Sequence, residues 1–138
     1  MGEQARRYLV VANRTLVGDH LAKEVEQRLA QGEASFFLLV PATPPQEGLT
    51  FTEGQIEAIA SKRLEEGLER FRGLGAEVDG AVGDSDPVLA VGDVLGEHSF
   101  DEVIISTLPE GASKWLRQNL PSQVERSFDL PVTHVVGE

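Results

Sequence analysis

The chain contains no cysteine among its 138 residues. This absence excludes disulfide bonds, thiolate metal ligands and a catalytic thiol together. Aromatic residues make up only 6% of the sequence, and no apolar run approaches the roughly 18 residues that a membrane span requires. Arg6 and Arg7 are followed by strand-like apolar residues without a small-residue cleavage site. We therefore expect no secretory leader and a cytoplasmic protein.

Basic residues are also scarce. The chain has 12 lysines and arginines against 23 aspartates and glutamates, which gives a formal net charge of -11. A surface of this charge repels nucleic-acid phosphates and anionic lipid, so we expect neither nucleic acid nor a membrane as a partner. A small anionic ligand remains compatible with this balance wherever a few bases gather locally.

What the sequence does contain is a regular alternation of short apolar runs with amphipathic segments. The apolar runs predict strands at 7–13, 34–41, 76–83, 101–107 and 131–137. The segments between them predict helices at 19–32, 52–73, 87–95, 113–119 and 121–128. Strands that alternate with helices form a parallel sheet with right-handed crossovers and helices on both faces. We predict one α/β domain that spans residues 1–138.

Three of the helices carry recognisable start signals. Asp19 is the predicted N-cap of the first helix, and Thr52 with Gln55 forms a predicted capping box for the second. An acid or serine within 84–86 caps the third helix, with Pro87 in its first turn. Because capping accounts for this acidic cluster, we expect no metal there.

Ligands of parallel α/β sheets bind beyond the carboxyl ends of the strands, where the strand order reverses. The residues at and just after the ends of the first two strands are therefore candidates for a site: Asn13, Arg14, Thr15, Val40 and Pro41. Two interpretations of Arg14 stand side by side. It binds a phosphate or carboxylate of a ligand, or it fills the pocket and pairs with a local acid.

The fourth strand leads into a second group of candidates. Further candidates in this group are Ser106, Thr107, Gly111, Ser113, Lys114, Arg117 and Ser122. In one interpretation the helix start and its two bases form an anion site. In the other, Ser113 is an ordinary N-cap before a solvated basic face. Trp115 is expected to pack with Leu116 and Leu120, within the domain or at a subunit contact, rather than to stack on a base.

The remaining side chains offer little for catalysis. His134 lies inside a predicted strand and is interpreted as a core or interface residue, whereas His20 and His98 are expected at the surface. The sequence has no G-x-S-x-G, H-E-x-x-H, Walker or G-x-G-x-x-G motif. We therefore predict no catalytic residue and a protein that is not an enzyme.

Three segments together resemble the universal stress protein family over nearly the whole chain. They are "YLVVANRT" (8–15), "GDSDP" (83–87) and the C-terminal segment from "DEVIIST" to "LPVTHVV" (101–136). The resemblance implies a three-layer α/β/α sandwich with a five-stranded parallel sheet of order 3-2-1-4-5, which is Rossmann-like and adenine nucleotide alpha hydrolase-like. It also implies a homodimer that pairs through the C-terminal strand, 131–137.

The departures from this family concern its ATP motif, G-x-x-G-x9-G-[ST]. Ser106 and Pro109 stand at the first two glycines, and Pro121 with Ser122 falls at the final pair, two residues late. Asn13 replaces the family's first-strand aspartate. Proline has no N–H and adds a ring where bare backbone is needed. ATP or another adenine nucleotide is therefore disfavoured, and no cofactor is expected.

Three hypotheses follow for the function. The leading one is a non-enzymatic binding or regulatory protein with a degenerate or remodelled nucleotide site. The alternative is a protein that binds a nucleotide or another phosphorylated ligand, with slow hydrolysis, through Arg14, Ser113, Lys114 and Arg117. A third is an interaction module that meets another protein through its dimer surface or its acidic face.

Overall fold

The computed structural model describes residues 5–43, 50–109 and 114–137. Its strands are β1 (Arg6–Val11), β2 (Ala34–Pro41), β3 (Glu77–Gly83), β4 (Glu102–Thr107) and β5 (Val132–Val136). Its helices are α1 (Asp19–Gln31), α2 (Glu53–Gly73), α3 (Pro87–Leu95), α4 (Lys114–Arg117) and α5 (Leu120–Phe128). The sequence predicted each of these elements within a few residues.

The five strands form one parallel sheet in the order β3-β2-β1-β4-β5, as predicted. Val10 in the central strand lies opposite Leu38 of β2 and Ile104 of β4. All three are fully buried, because helices cover both faces of the sheet. The order reverses between β1 and β4, so these two strands end side by side at the predicted switch point.

Alternate residues of the central strands enter two separate cores. Tyr8 and Val10 pack with α1 and α2, in a cluster that includes Phe71. Leu9 and Val11 face the other side and pack with α3, α4 and α5. Trp115 is buried in this second core with Leu120, which confirms the expected packing of those two side chains.

The helix starts confirm two of the three predictions. Thr52 and Gln55 form the reciprocal capping box of α2, and Asp86 accepts hydrogen bonds from the N–H groups that follow Pro87. The prediction for α1 was wrong. Its N-cap is Gly18, with no side-chain hydrogen bond, and Asp19 is the first helical residue. Asp19 instead accepts a hydrogen bond from Arg70 of α2 at 3.1 Å.

A glycine on α2 brings this helix against the loop that follows β1. A Cβ atom at Gly67 would lie 2.5 Å from Cδ2 of Leu16, so a side chain there would force the buried Leu16 side chain to shift. The absence of a side chain therefore allows α2 to approach this loop. Arg63 lies one turn earlier on the same helix, so the close packing brings it to the end of β1.

None of the helices in the described ranges combines the length and the apolar character needed to cross a membrane.

Candidate functional site

The candidate site is the edge of the sheet where β1 and β4 end, here called the carboxyl edge (Asn13, Arg14, Thr15, Ser106 and Thr107). Three pairings of polar side chains occur there. Each joins residues that are far apart in the sequence.

The first pairing is centred on Asn13. Its side-chain Nδ2 donates to the carbonyl oxygen of Pro41 at 2.8 Å and to Oγ1 of Thr43 at 2.9 Å. Its Oδ1 accepts a hydrogen bond from Nη1 of Arg63. One amide therefore links the ends of β1 and β2 to α2, and both of its polar atoms are engaged by protein groups.

Arg63 was not identified from the sequence. Burial lowers its pKa, and the nearby positive charge of Arg14 lowers it further, whereas Glu66 acts in the opposite direction. Arg14 itself is exposed. Among the described residues, no carboxylate forms an ion pair with either arginine. The positive charges of Arg14 and Arg63 therefore influence one another, and neither has an ion-pair partner among the described residues.

A signal for Arg63 was nevertheless present in the sequence. The apolar stripe of α2 includes Ala60 and Leu64, and Gly67 continues the same face. Arg63 lies three residues after Ala60 and four before Gly67, so helical periodicity places it on the border of the buried face. A base at such a position must either extend to solvent or find a polar partner.

The second pairing joins Thr15 and Ser106. Their hydroxyl oxygens lie 2.5 Å apart, and the two residues are only 5% and 1% exposed. Gly137 packs against this pair, since a Cβ atom there would lie 2.7 Å from Cγ2 of Thr15. Because a buried hydroxyl without a partner is costly, each of these side chains satisfies the other.

The third pairing joins Thr107 to His134 on β5. Oγ1 of Thr107 lies 2.7 Å from Nε2 of His134. Burial lowers the pKa of His134 below its ordinary value. His134 is nevertheless exposed on the strand, so of its two interpretations the core residue was wrong, and the interface residue stays a prediction. A hydroxyl beside a histidine is the arrangement of an activated nucleophile, but Thr107 is only 2% exposed and offers no open nucleophile.

The other predicted site residues take different positions. Val40 is fully buried in the first core, Pro41 contributes its carbonyl oxygen, and Ser122 is exposed on α5. Gly111 and Ser113 lie outside the described residues.

The side chains of Lys114 and Arg117 also lie outside the described part of the structure. The prediction of an anion site at the start of this helix therefore remains a prediction.

The acidic cluster before α3 is used locally. Oδ1 of Asp84 accepts a hydrogen bond from the backbone N–H of Asp86, and Asp86 caps the helix. Within the ranges that the structure describes, no group of three or more potential metal-ligating side chains comes together.

No family model matches the chain, and no curated protein sequence matches it. Solved structures do match it over nearly its full length. A universal stress protein in complex with cAMP is 19% identical, with 98% of this chain and 100% of that chain covered and a TM-score of 0.63. A universal stress protein from Archaeoglobus fulgidus is 16% identical, with 96% and 99% covered and a TM-score of 0.66.

A structure of a universal stress protein from Archaeoglobus fulgidus in complex with dAMP is 14% identical to this chain. It covers 96% of this chain and 98% of its own, with a TM-score of 0.62. At these identities the likeness establishes the fold. The chain has the universal stress protein fold, as its sequence motifs predicted.

Proposed function

We propose that this chain is a divergent universal stress protein-like binding or regulatory protein, without enzymatic activity, whose nucleotide site is remodelled. It acts in the cytoplasm in a stress response and does not hold ATP in the usual family mode. One observation carries the proposal. Except for Arg14, the polar side chains at the carboxyl edge are hydrogen-bonded to other groups of the protein among the described residues.

Ser106 illustrates the remodelling most clearly. It stands where the family motif has its first glycine, yet its hydroxyl is buried against Thr15 rather than presented to a ligand. Asn13 is engaged in the same way by Pro41, Thr43 and Arg63. A nucleotide in the family mode would have to replace these internal hydrogen bonds, and the cost of breaking them opposes its binding.

The two prolines support the same conclusion. Pro109 stands at the second glycine of the motif and is exposed, and Pro121 lies in the first turn of α5 near the position of the final glycine. Neither residue has an N–H to donate to a phosphate oxygen. The backbone donors on which a glycine-rich phosphate loop depends are therefore missing at both positions.

A second candidate function is the binding of a nucleotide or another phosphorylated ligand in a different mode. Two structures of the same fold are complexes with cAMP and dAMP. The specific observation in this chain is the pair of arginines at the end of β1, which lack an ion-pair partner among the described residues.

Thermal unfolding with and without ligand tests the leading proposal. A ligand at 100 times its dissociation constant adds about 2.7 kcal/mol of stability, which raises the melting temperature measurably. We expect no rise with ATP and magnesium. A rise that survives in both Arg14→Gln and Arg63→Gln would show that ATP binds in a mode independent of these arginines, and would contradict the proposal.

We also propose that the protein forms a homodimer through 131–137. β5 is an edge strand and pairs only with β4 among the described strands, and Val136 at its end is 44% exposed. An apolar edge strand of this kind is a ready template for pairing with a second copy. Light scattering after size exclusion should report the mass of two chains, and a monomer at all concentrations would contradict the dimer.

A further inference from the structure

Arg14 at the carboxyl edge and Arg63, which donates to Asn13 there, are held differently, although the charge of Arg14 is near enough to lower the pKa of Arg63. Arg63 is half-buried, and its Nη1 donates to Oδ1 of Asn13. Asn13 is fixed in turn, because its Nδ2 donates to Pro41 and Thr43. The guanidinium of Arg63 is therefore oriented by a neutral amide, which holds it in place without neutralising its charge.

The rest of the Arg63 guanidinium is not engaged by the described residues. An arginine has five N–H donors in a fixed planar fork, which matches the oxygens of phosphate and carboxylate groups. Among the described residues, only Nη1 makes a hydrogen bond. Arg14 makes no hydrogen bond or ion pair there, and its exposed side chain begins one residue after Asn13.

The overall composition makes this pair of charges unusual. Acids outnumber bases by 23 to 12, so a base has many opportunities to find a carboxylate. Among the described side chains, the other partly buried arginine is Arg28, which lies within 3.2 Å of two carboxylates. Two neighbouring guanidinium groups repel one another when no anion lies between them. Their juxtaposition therefore costs free energy in the unliganded protein, and an anion that binds both would remove this cost.

We propose that Arg14 and Arg63 together bind the phosphate group of a small phosphorylated ligand at the end of β1, with Asn13 as the positioning residue for Arg63. This inference deepens the proposed function, on which it rests for the position of the ligand at the carboxyl edge. A phosphate monoester carries between one and two negative charges near neutral pH, so it neutralises both guanidinium groups, whereas a monocarboxylate neutralises one.

The opposite edge of the sheet, where β2 and β3 begin, provides a contrast. The depression formed there includes Gly32 and Gly75 together with the carboxylate residues Glu33 and Glu77. A wall that contains two acids repels a phosphate group, even though glycines leave backbone accessible. The carboxyl edge therefore suits an anion by its charge, which the glycine-containing depression does not.

Calorimetric titration at constant ionic strength tests the proposal, with inorganic phosphate, AMP, adenosine and chloride as the four probes. We expect phosphate and AMP to bind, and adenosine and chloride to give no specific heat. AMP that binds more tightly than phosphate would identify a phosphomonoester as the preferred form of the ligand. Failure of both phosphate and AMP to bind would overturn the inference.

The variants separate the two arginines from the general charge of the surface. Arg63→Gln and Arg14→Gln should each weaken phosphate binding by at least about tenfold, because each removes a charge-assisted donor. Lys62→Gln removes one positive charge from the neighbouring, exposed position of α2 and should leave the affinity unchanged. An equal loss in all three variants would mean that only net charge matters, and would overturn the assignment.

Two further measurements keep the test decisive. Arg63→Lys retains the charge but loses the planar fork, so we expect binding weaker than wild type and stronger than Arg63→Gln. Because Arg14 is exposed, Arg14→Gln should fold normally even if Arg63→Gln does not.

Phosphate binding without any response to ATP supports both proposals. Absence of phosphate and ATP binding alike overturns this inference and leaves the proposed function in place.

Discussion

At the amino end of β4, Arg28 donates to Glu102 at 2.8 Å, whereas at the end of β1 Arg63 donates to the neutral amide of Asn13. The polar residues around Arg28 and Glu102 are here called the amino-edge cluster, which contains Arg6, Glu24, Arg28, Glu102 and Thr133. Its charges are paired, since Arg28 also lies 3.2 Å from Glu24 and Arg6 lies 3.9 Å from Glu102. At the carboxyl edge, by contrast, no described carboxylate forms an ion pair with Arg63, although Glu66 lies near enough to raise its pKa.

This difference separates two uses of the same residue type. A partly buried arginine that is neutralised by carboxylates holds the helix and the strands together and has no charge left for a ligand. A partly buried arginine that is oriented by an amide keeps its charge. The identity of the partner, rather than the burial of the arginine, therefore decides which end of the sheet is suited to binding an anion.

The largest expected change in stability comes from replacing a carboxylate of the amino-edge cluster by an amide, the kind of partner that Arg63 has at the other edge. Glu102→Gln keeps the shape of the side chain but removes the charge that faces Arg28. The two side chains are only 11% and 15% exposed, so we expect a loss of about 2 kcal/mol in the free energy of unfolding. The expected loss is smaller than that for a fully buried pair because Glu24 still faces Arg28. The free energy of unfolding is measured by urea unfolding of the variant and the wild type.

Glu97→Gln is the matched control for this change, because Glu97 is exposed and close in sequence. It should alter stability by less than about 0.5 kcal/mol. If Glu102→Gln has an effect as small as this control, the amino-edge cluster is not a structural ion pair and the contrast between the two edges is wrong.

A smaller effect is expected when a neutral pairing of the carboxyl edge is broken. Ser106→Ala leaves the hydroxyl of Thr15 buried without its partner, which should cost about 1 to 2 kcal/mol of stability. Adding Thr15→Val removes the orphaned hydroxyl, so the double variant should be more stable than the sum of the two single changes predicts. Strict additivity in urea unfolding would show that the two hydroxyls are not coupled.

The smallest effect concerns the pH dependence of stability. Because burial lowers the pKa of His134 in the folded chain, the unfolded chain takes up a proton on this side chain first as the pH falls. Stability should therefore decrease from about pH 7.5 to about pH 5.5. Exposure of the side chain keeps the contribution small.

Replacement of this histidine isolates its contribution. His134→Gln should flatten the decrease in stability across this pH range, as measured by urea unfolding at several pH values. His98→Gln removes another histidine from the surface and serves as the control. If His134→Gln has the same pH profile as the wild type, burial does not lower the pKa of His134 enough to affect stability.

Much of the fold was predictable because its signals are local. The buried run at 34–41 and the capping box at Thr52 depend on neighbouring residues, and both were confirmed. The predicted first residue of α1 was right, but its N-cap was wrong, since Gly18 is the N-cap and Asp19 has a partner on another helix. Arg70 is 51 residues away, and no local pattern can reveal such a contact.

The candidate site was predictable only in part, for the same reason. Strand order and the switch-point rule identified Asn13, Arg14, Thr15, Ser106 and Thr107 as neighbours. Which side chain bonds to which was not predictable, since the pairing of Thr15 with Ser106 spans 91 positions.

The sequence by itself determined the alternation of strands and helices, the two-sided burial of the central strands and the loss of the glycine motif, because composition and periodicity act over short distances. Only the tertiary structure decided that, among the described residues, Arg28 pairs with carboxylates whereas Arg63 pairs with an amide. Arg63 reaches Asn13 across 50 positions because α2 packs closely at Gly67. The charge available at an edge of the sheet depends on which distant side chains the packing brings within hydrogen-bonding distance.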